Sequence, residues 1–316
     1  MLIALLIRSD GAVIIQTLRH GSWSLLWLIP FRLSFFLLYA IGWFILLRPY
    51  DLQRRANLQY LLWVATVREG IDRLLPVASL GGGVVGVRLL RWRGIATTAA
   101  AATVVVETLL TLVAAYLFAC LGVWLLYVFN TAGDSDRRLL ILLLFSLPVP
   151  VATALVLRYG SVFGRLESFV RPLLGQTPLS QGATMLDSEL RACLRRGTSL
   201  VLTGTLQFGA LVSASFEVWL VLRLFGHPVQ ARTAVILESL TQAARHAAFV
   251  VPAGVGVQEA GYLLFGHMLG ISSELALSIS MAKRLREVLC GLPALASWQL
   301  AETWRLRSAI RDSSGS

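Results

Sequence analysis

At 316 residues, with 56% hydrophobic and only 14% charged side chains and a mean hydropathy of +0.72, the chain is far more apolar than a soluble domain, where about 25% of residues are charged. That composition predicts an integral membrane protein with room for roughly six to nine helices at about 20 residues per span. The formal net charge of +11 is almost wholly arginine, Lys283 being the one lysine. It points to anionic headgroups and the cytoplasm, and away from nucleic acid, because no basic stretch alternates with aromatics on a soluble domain.

In chain order, residues 1–21 predict an interfacial amphipathic helix without a small-residue cleavage site. Ser22 to Leu47 is the first span, closed by Arg48 and Pro49, and Arg32 near its start is placed to snorkel toward headgroups. A charged loop, Arg48 to Arg55, leads to a short apolar segment, Leu58 to Val67. Arg68, Glu69, Asp72 and Arg73 follow at spacings that allow pairing along one helix. Leu74 to Leu90 then combines Pro76, a glycine cluster (Gly81, Gly82, Gly83, Gly86) and Arg88. Each apolar run there is too short to cross alone, which predicts a broken or re-entrant helix. Ile95 to Phe129 exceeds one span and contains Glu107; it is either one long tilted helix or a half-helix followed by a full one, the second being favoured.

Asn130 to Arg138 is a polar loop, and Leu139 to Leu157 a span that Pro148 and Pro150 should kink. Arg158 to Gly197 is the longest hydrophilic stretch, rich in arginine, and is expected to form cytoplasmic amphipathic surface helices. Thr198 to Phe225 is a span containing Glu217. In the next span, Ala231 to Val251, Glu238, Gln242, Arg245 and His246 recur on one helical face, which must look at protein or water. Two readings stay open for that face: a structural Glu238–Arg245 pair that knits helices together, or part of a site.

Phe249 to Gly270, FVVPAGVGVQEAGYLLFGHMLG, is the centre of the sequence. Pro252 should stop a helix, and Gly254 and Gly256 permit backbone geometry that other residues resist. Gln258 and Glu259 follow directly, and a carboxyl group beside a break inside a membrane is a binding-site candidate. Downstream, AKRLRE carries Lys283, Arg284, Arg286 and Glu287 between apolar stretches. It is either an interfacial snorkelling turn or a place where Arg284 and Arg286 face a cavity and hold an anionic group. Val288 to Leu300 completes the last membrane segment.

The expected organisation is a single all-α transmembrane domain over 1–316. Its first half is about 1–157, the cytoplasmic loop 158–197, the second half about 198–304 and the tail 305–316. Two broken Gly/Pro segments, one in each half, suggest an inverted repeat. The three cysteines and four histidines are scattered, so neither a metal centre nor a disulfide framework is expected. No phosphate-binding loop occurs, and no cofactor is expected.

The run VVPAGVGVQEAGYLLFG, the later ALSISMAKRLREVLCGLPALASWQ and the earlier VREGIDRLLPVASLGGGVVGVRLL together resemble the flippase-like transmembrane domain of the lysylphosphatidylglycerol synthase superfamily, over roughly Trp23 to Trp304. The branch associated with hopanoid biosynthesis is the most similar. One departure is Gly83, where an acidic residue is expected after Gly81 and Gly82; this moves the weight to Arg88 and Glu107. Synthases of the superfamily carry a soluble aminoacyl-transferase domain after the membrane part, and the sequence here stops at Ser316, so that activity is not expected.

The resemblance implies a non-enzymatic lipid mover of the bacterial inner membrane, taking an amphipathic lipid, a hopanoid or an anionic lipid, between leaflets. Lipid-biosynthesis enzymes are its expected protein partners. Glu259, Gly254, Gly256, Gln258, Arg88, Glu238, Arg245, Arg284, Arg286 and Glu107 are the candidate substrate-binding residues. Two rival classes stay open: a lipid-binding scaffold in a biosynthetic complex, and an intramembrane lipid-modifying enzyme built on Glu238 with His246 or Asp72 with Glu69.

Overall fold

The computed structural model describes residues 26–75, 81–129, 179–247 and 256–314. Among them every regular element is helical: α1 (Leu28–Leu47), α2 (Leu58–Leu74), α3 (Gly81–Trp92), α4 (Thr97–Phe129), α5 (Leu179–Leu194), α6 (Gly197–Leu224), α7 (Ala231–Ala247), α8 (Val257–Met268) and α9 (Ser273–Ser314). By length and composition α1, α4 and α6 can each cross a membrane, with mean hydropathies of 1.8, 2.4 and 1.5. The protein is a polytopic all-α membrane protein. The expected amphipathic N-terminus, the 139–157 span and residues 158–178 lie outside the described residues.

Local chemistry sets the helix ends. The Asn57 side chain caps α2 by accepting from the Tyr60 amide at 2.9 Å. The helix stops where Leu75 turns extended (φ −106°, ψ 145°), the conformation a following Pro76 favours. α3 then starts at Gly81, so the glycine cluster is helical and the break itself is shorter than the Pro76 to Arg88 stretch. At the second break Gly256 takes φ +82°, which a residue with a Cβ resists, and α8 begins one residue later.

Two other expectations are corrected. Thr97–Phe129 is one 33-residue helix, not the favoured half-helix and span. It has no proline, and Glu107 is accommodated by a buried arginine, so nothing forces a break. α9 runs for 42 residues straight through the AKRLRE turn and through Pro293. Arg68 to Arg73 continue the helix of Leu58 to Val67, as their spacing implied.

The helices form a repeat. α2 and α7 each have 17 residues, and α3 and α8 each have 12. Exchanging α1–α4 with α6–α9 maps the helix-packing pattern onto itself: α2 packs on α9 as α7 packs on α4, α1 on α2 as α6 on α7, and α1 packs on α6. α5, which packs on α4, has no counterpart among the described residues. The α2–α3 hairpin opens at the start of α4, four residues before it, whereas Arg232 near the start of α7 lies over Phe129 at the end of α4 (4.3 Å). The two hairpins therefore enter from opposite ends of the bundle, as an inverted repeat requires.

Helices in a bilayer associate by close packing, not by escape from water, so small residues decide the crossings. A Cβ added at Gly122 of α4 would sit 1.7 Å from Ser239 Oγ of α7, and one at Gly82 of α3 would sit 2.5 Å from Asp72 Oδ2 of α2. Around these crossings Trp43, Leu61, Val64, Leu89 and Leu90 form one buried cluster at α1–α3. Leu190, Cys193 and Leu194 seat α5 on Leu46, Ala102 and Val106. Burial pushes the Cys193 thiol up to about 11, so it packs as an apolar group rather than acting as a nucleophile.

Candidate functional site

The ends of α2 and α7 converge inside the bundle on one carboxylate of α9. Arg73, one residue before the end of α2, lies 4.0 Å from Glu287, and Arg245, near the end of α7, lies 3.8 Å from it. Glu287 is 14 residues into α9, about 21 Å along its axis.

From this point a continuous ionic seam extends through the bundle. Arg284 bridges Glu287 (3.4 Å) and Glu259 (3.3 Å). Arg286 reaches Glu217 of α6 (3.4 Å) and Glu69 of α2 (3.9 Å), and Arg32 of α1 binds Glu69 and approaches Glu217 at 4.0 Å. Five arginines (32, 73, 245, 284, 286) thus face four glutamates (69, 217, 259, 287), and the Asp72 carboxylate of α2 also acts on Arg73. Arg32, Arg245, Arg286, Glu217 and Glu287 are all under 9% exposed.

Taking charges out of water costs several kcal/mol per ion, so the seam depends on each charge being answered by another. Its hydrogen bonding is looser than its ion pairing: Arg32 Nε and Arg245 Nη2 have no hydrogen-bond partner among the described residues, and Arg286 Nε meets Glu217 as an ion pair at 3.4 Å rather than as a hydrogen bond.

Glu259 stands at one end of the seam, in the first turn of α8. Its Oε2 accepts from the Gly256 amide at 2.8 Å, and its Oε1 accepts from Ser280 Oγ at 3.1 Å and from Arg284. It is also the most exposed of the four carboxylates, with a side chain 21% open. Gln258 beside it is fully buried; its Oε1 accepts from Arg245 and its Nε2 donates to Ser280 Oγ at 3.0 Å.

Two further buried pairs flank the seam. Lys283 of α9 donates to Glu238 of α7 at 2.6 Å, and Tyr262 and Gln242 also donate to that carboxylate. Arg68 of α2 donates to Glu107 of α4 at 2.7 Å. The repeat exchanges α2 with α7 and α4 with α9, so these pairs occupy related places with their charges reversed. Glu107 and Lys283 are each the eleventh residue of their helix. No group of three or more His, Cys, Asp or Glu residues able to hold a metal occurs among the described residues.

Of the residues expected from sequence, the structure brings Glu259, Gln258, Arg245, Arg284 and Arg286 together in the seam, with Gly256 setting the start of α8. Glu238 adjoins it through Lys283. Glu238 and Arg245 do not pair with each other; each has a partner on α8 or α9. AKRLRE is no interfacial turn, since Lys283 and Arg286 are 2% and 3% exposed. Glu107 lies apart with Arg68. Arg88 is 58% exposed at the outer part of α3, paired with Glu302 of α9, and is not part of the seam. Gly254 lies outside the described residues.

Sequence reasoning missed Arg32, which is buried and stacked 3.9 Å over the Phe35 ring rather than snorkelling. It also missed the roles of Glu69, Arg73, Glu217 and Glu287. The available signal was their common type: ionisable residues within apolar or half-apolar helices are functional candidates by default.

The sequence profile described as the lysylphosphatidylglycerol synthase TM region matches residues 1–294, and the chain belongs to that family, a lipid-related family of membrane proteins. No curated protein and no solved structure matches it.

Proposed function

We propose that this protein moves an amphipathic lipid between the leaflets of the bacterial inner membrane without altering it chemically. The observation that carries this reading is the meeting of the ends of α2 and α7 at Glu287, within a seam of five arginines drawn from α1, α2, α7 and α9. Each hairpin belongs to one half of the repeat, so a relative tilt of the halves would open the seam first to one side and then to the other. The lipid's polar group would be drawn to Arg245 and Arg284, while Glu259, at the more open end, would hold Arg284 until that group arrives. Its apolar part would stay in the bilayer.

The resemblance to the hopanoid-associated branch makes a hopanoid, or a derivative bearing a polar or anionic group, the favoured cargo. The end of the bundle that carries Arg48, Arg54, Arg93, Arg196 and Arg305 faces the cytoplasm in this reading, whereas Arg223 and Arg232 mark the opposite end.

Reconstitution of the purified full-length protein in liposomes with labelled lipid tests the reading. Transbilayer movement of an unchanged label is expected. A chemically altered label would make the protein an enzyme, and binding with no movement would make it a scaffold; either result refutes the proposal.

A further inference from the structure

The first turns of α3 and α8, the returning helices of the two hairpins, are answered by carboxylates that come from different places. In α8 the acid lies on the helix itself: Glu259, its third residue, accepts from the Gly256 amide at 2.8 Å. The third residue of α3 is Gly83, which has no side chain to do this. There Asp72 of α2 accepts instead, from the amide of Gly82, the second residue of α3, at 2.9 Å.

The fit leaves no spare room. A Cβ at Gly82 would stand 2.5 Å from Asp72 Oδ2 and 2.7 Å from the Arg68 carbonyl oxygen, so the bare backbone at 82 is what admits the carboxylate. The free amides and the dipole of a helix N-terminus favour a carboxylate there. Arg68 and Arg73 of α2 also act on Asp72, and Glu69 is the like charge beside it. The repeat supplies the comparison. Asp72 is the fifteenth residue of α2, and Arg245, the fifteenth of α7, donates to the side chain of Gln258, the second residue of α8. One contact therefore recurs in both halves with the charge of its arm reversed, as at Glu107 and Lys283.

We infer that Asp72 is a positioning residue of the first hairpin, doing for α3 from α2 what Glu259 does for α8 from within. It fixes the start of α3 against the turn of α2 that carries Arg73, and so helps to hold the arginine that meets Glu287. Its effect on transport rests on the function proposed above; its effect on stability does not.

Moving the carboxylate from α2 to α3 tests this. Asp72→Ala, Gly83→Glu and the double variant of the full-length protein are compared by thermal unfolding in detergent and by movement of labelled lipid in liposomes. A Cβ at Gly83 meets only Val104 Cγ1, at an ordinary 3.5 Å, and a glutamate at a third helical position can reach back over the first turn. Asp72→Ala should lower the melting temperature by about 3 °C, the scale of a lost helix cap, and slow lipid movement severalfold. Gly83→Glu alone should bring no gain, because Asp72 already fills the place. In the Asp72→Ala background it should recover at least about half of both losses, a coupling that independent sites do not show. Equal shifts for Gly83→Glu in the two backgrounds, or no loss in Asp72→Ala, overturn the inference. If Asp72→Ala does not fold, the same cycle starts from Asp72→Asn, which keeps an acceptor oxygen and loses the charge. If the wild type itself moves no lipid, the transport reading fails, and the melting temperatures still decide the role of Asp72.

Discussion

Glu287→Gln is expected to destabilise the protein by about 3–5 kcal/mol, the scale for removing one partner from a buried ionic cluster. Glu287 is 5% exposed and lies within 4.0 Å of Arg73, Arg245, Arg284 and Arg286. Glutamine keeps the shape but leaves four arginines sharing fewer negative charges at the point where the ends of α2 and α7 meet. Glu287→Asp keeps the charge and should lose much less. Thermal unfolding of both variants in detergent checks this, and a melting temperature for Glu287→Gln equal to the wild type would mean that those ends are held by something else.

Lys283→Met and Glu238→Leu should each cost a similar amount singly, because each leaves a buried, uncompensated charge. The double variant should return close to wild-type stability, since an apolar pair of similar volume often replaces a buried ion pair at little cost. Glu238 is fully buried and Lys283 is 2% exposed. The double variant should also keep most of its transport, because the pair flanks the arginine seam without contributing to it. Additive losses in the thermal-unfolding cycle would contradict the pairing.

How much of this was legible in the sequence depended on whether the signal was local. The stop before Pro76 was, because proline restricts the residue before it and Leu75 does turn extended. So was the polar face of α7, since residues four apart share a face whatever packs against them. The paired hairpins followed from two similar Pro-Gly-charge stretches. What could not be read was which helix each face meets.

Glu238 and Arg245 are well spaced to pair along α7, yet Lys283 and Glu287 of α9 claim them. Arg32 sits where a snorkelling residue would, but α1 packs along α6 and turns it inward to Glu217 and Glu69. The continuity of α4 through Glu107 was hidden for the same reason: Arg68, 39 residues earlier, neutralises it. Each miss is a long-range charge partner fixed by a helix crossing.

The most direct test of transport along the arginine seam is the transbilayer rate of a labelled anionic lipid in proteoliposomes, measured for the wild type and for Arg245→Gln. Arg245 is buried, lies 3.8 Å from Glu287 and donates to Gln258, so Arg245→Gln should also lower the melting temperature, and the rates are compared below both unfolding transitions. The account predicts that the wild type moves the lipid and that folded Arg245→Gln moves it at least about tenfold more slowly, the equivalent of roughly 1.4 kcal/mol. A variant that moves the lipid as fast as the wild type would contradict it.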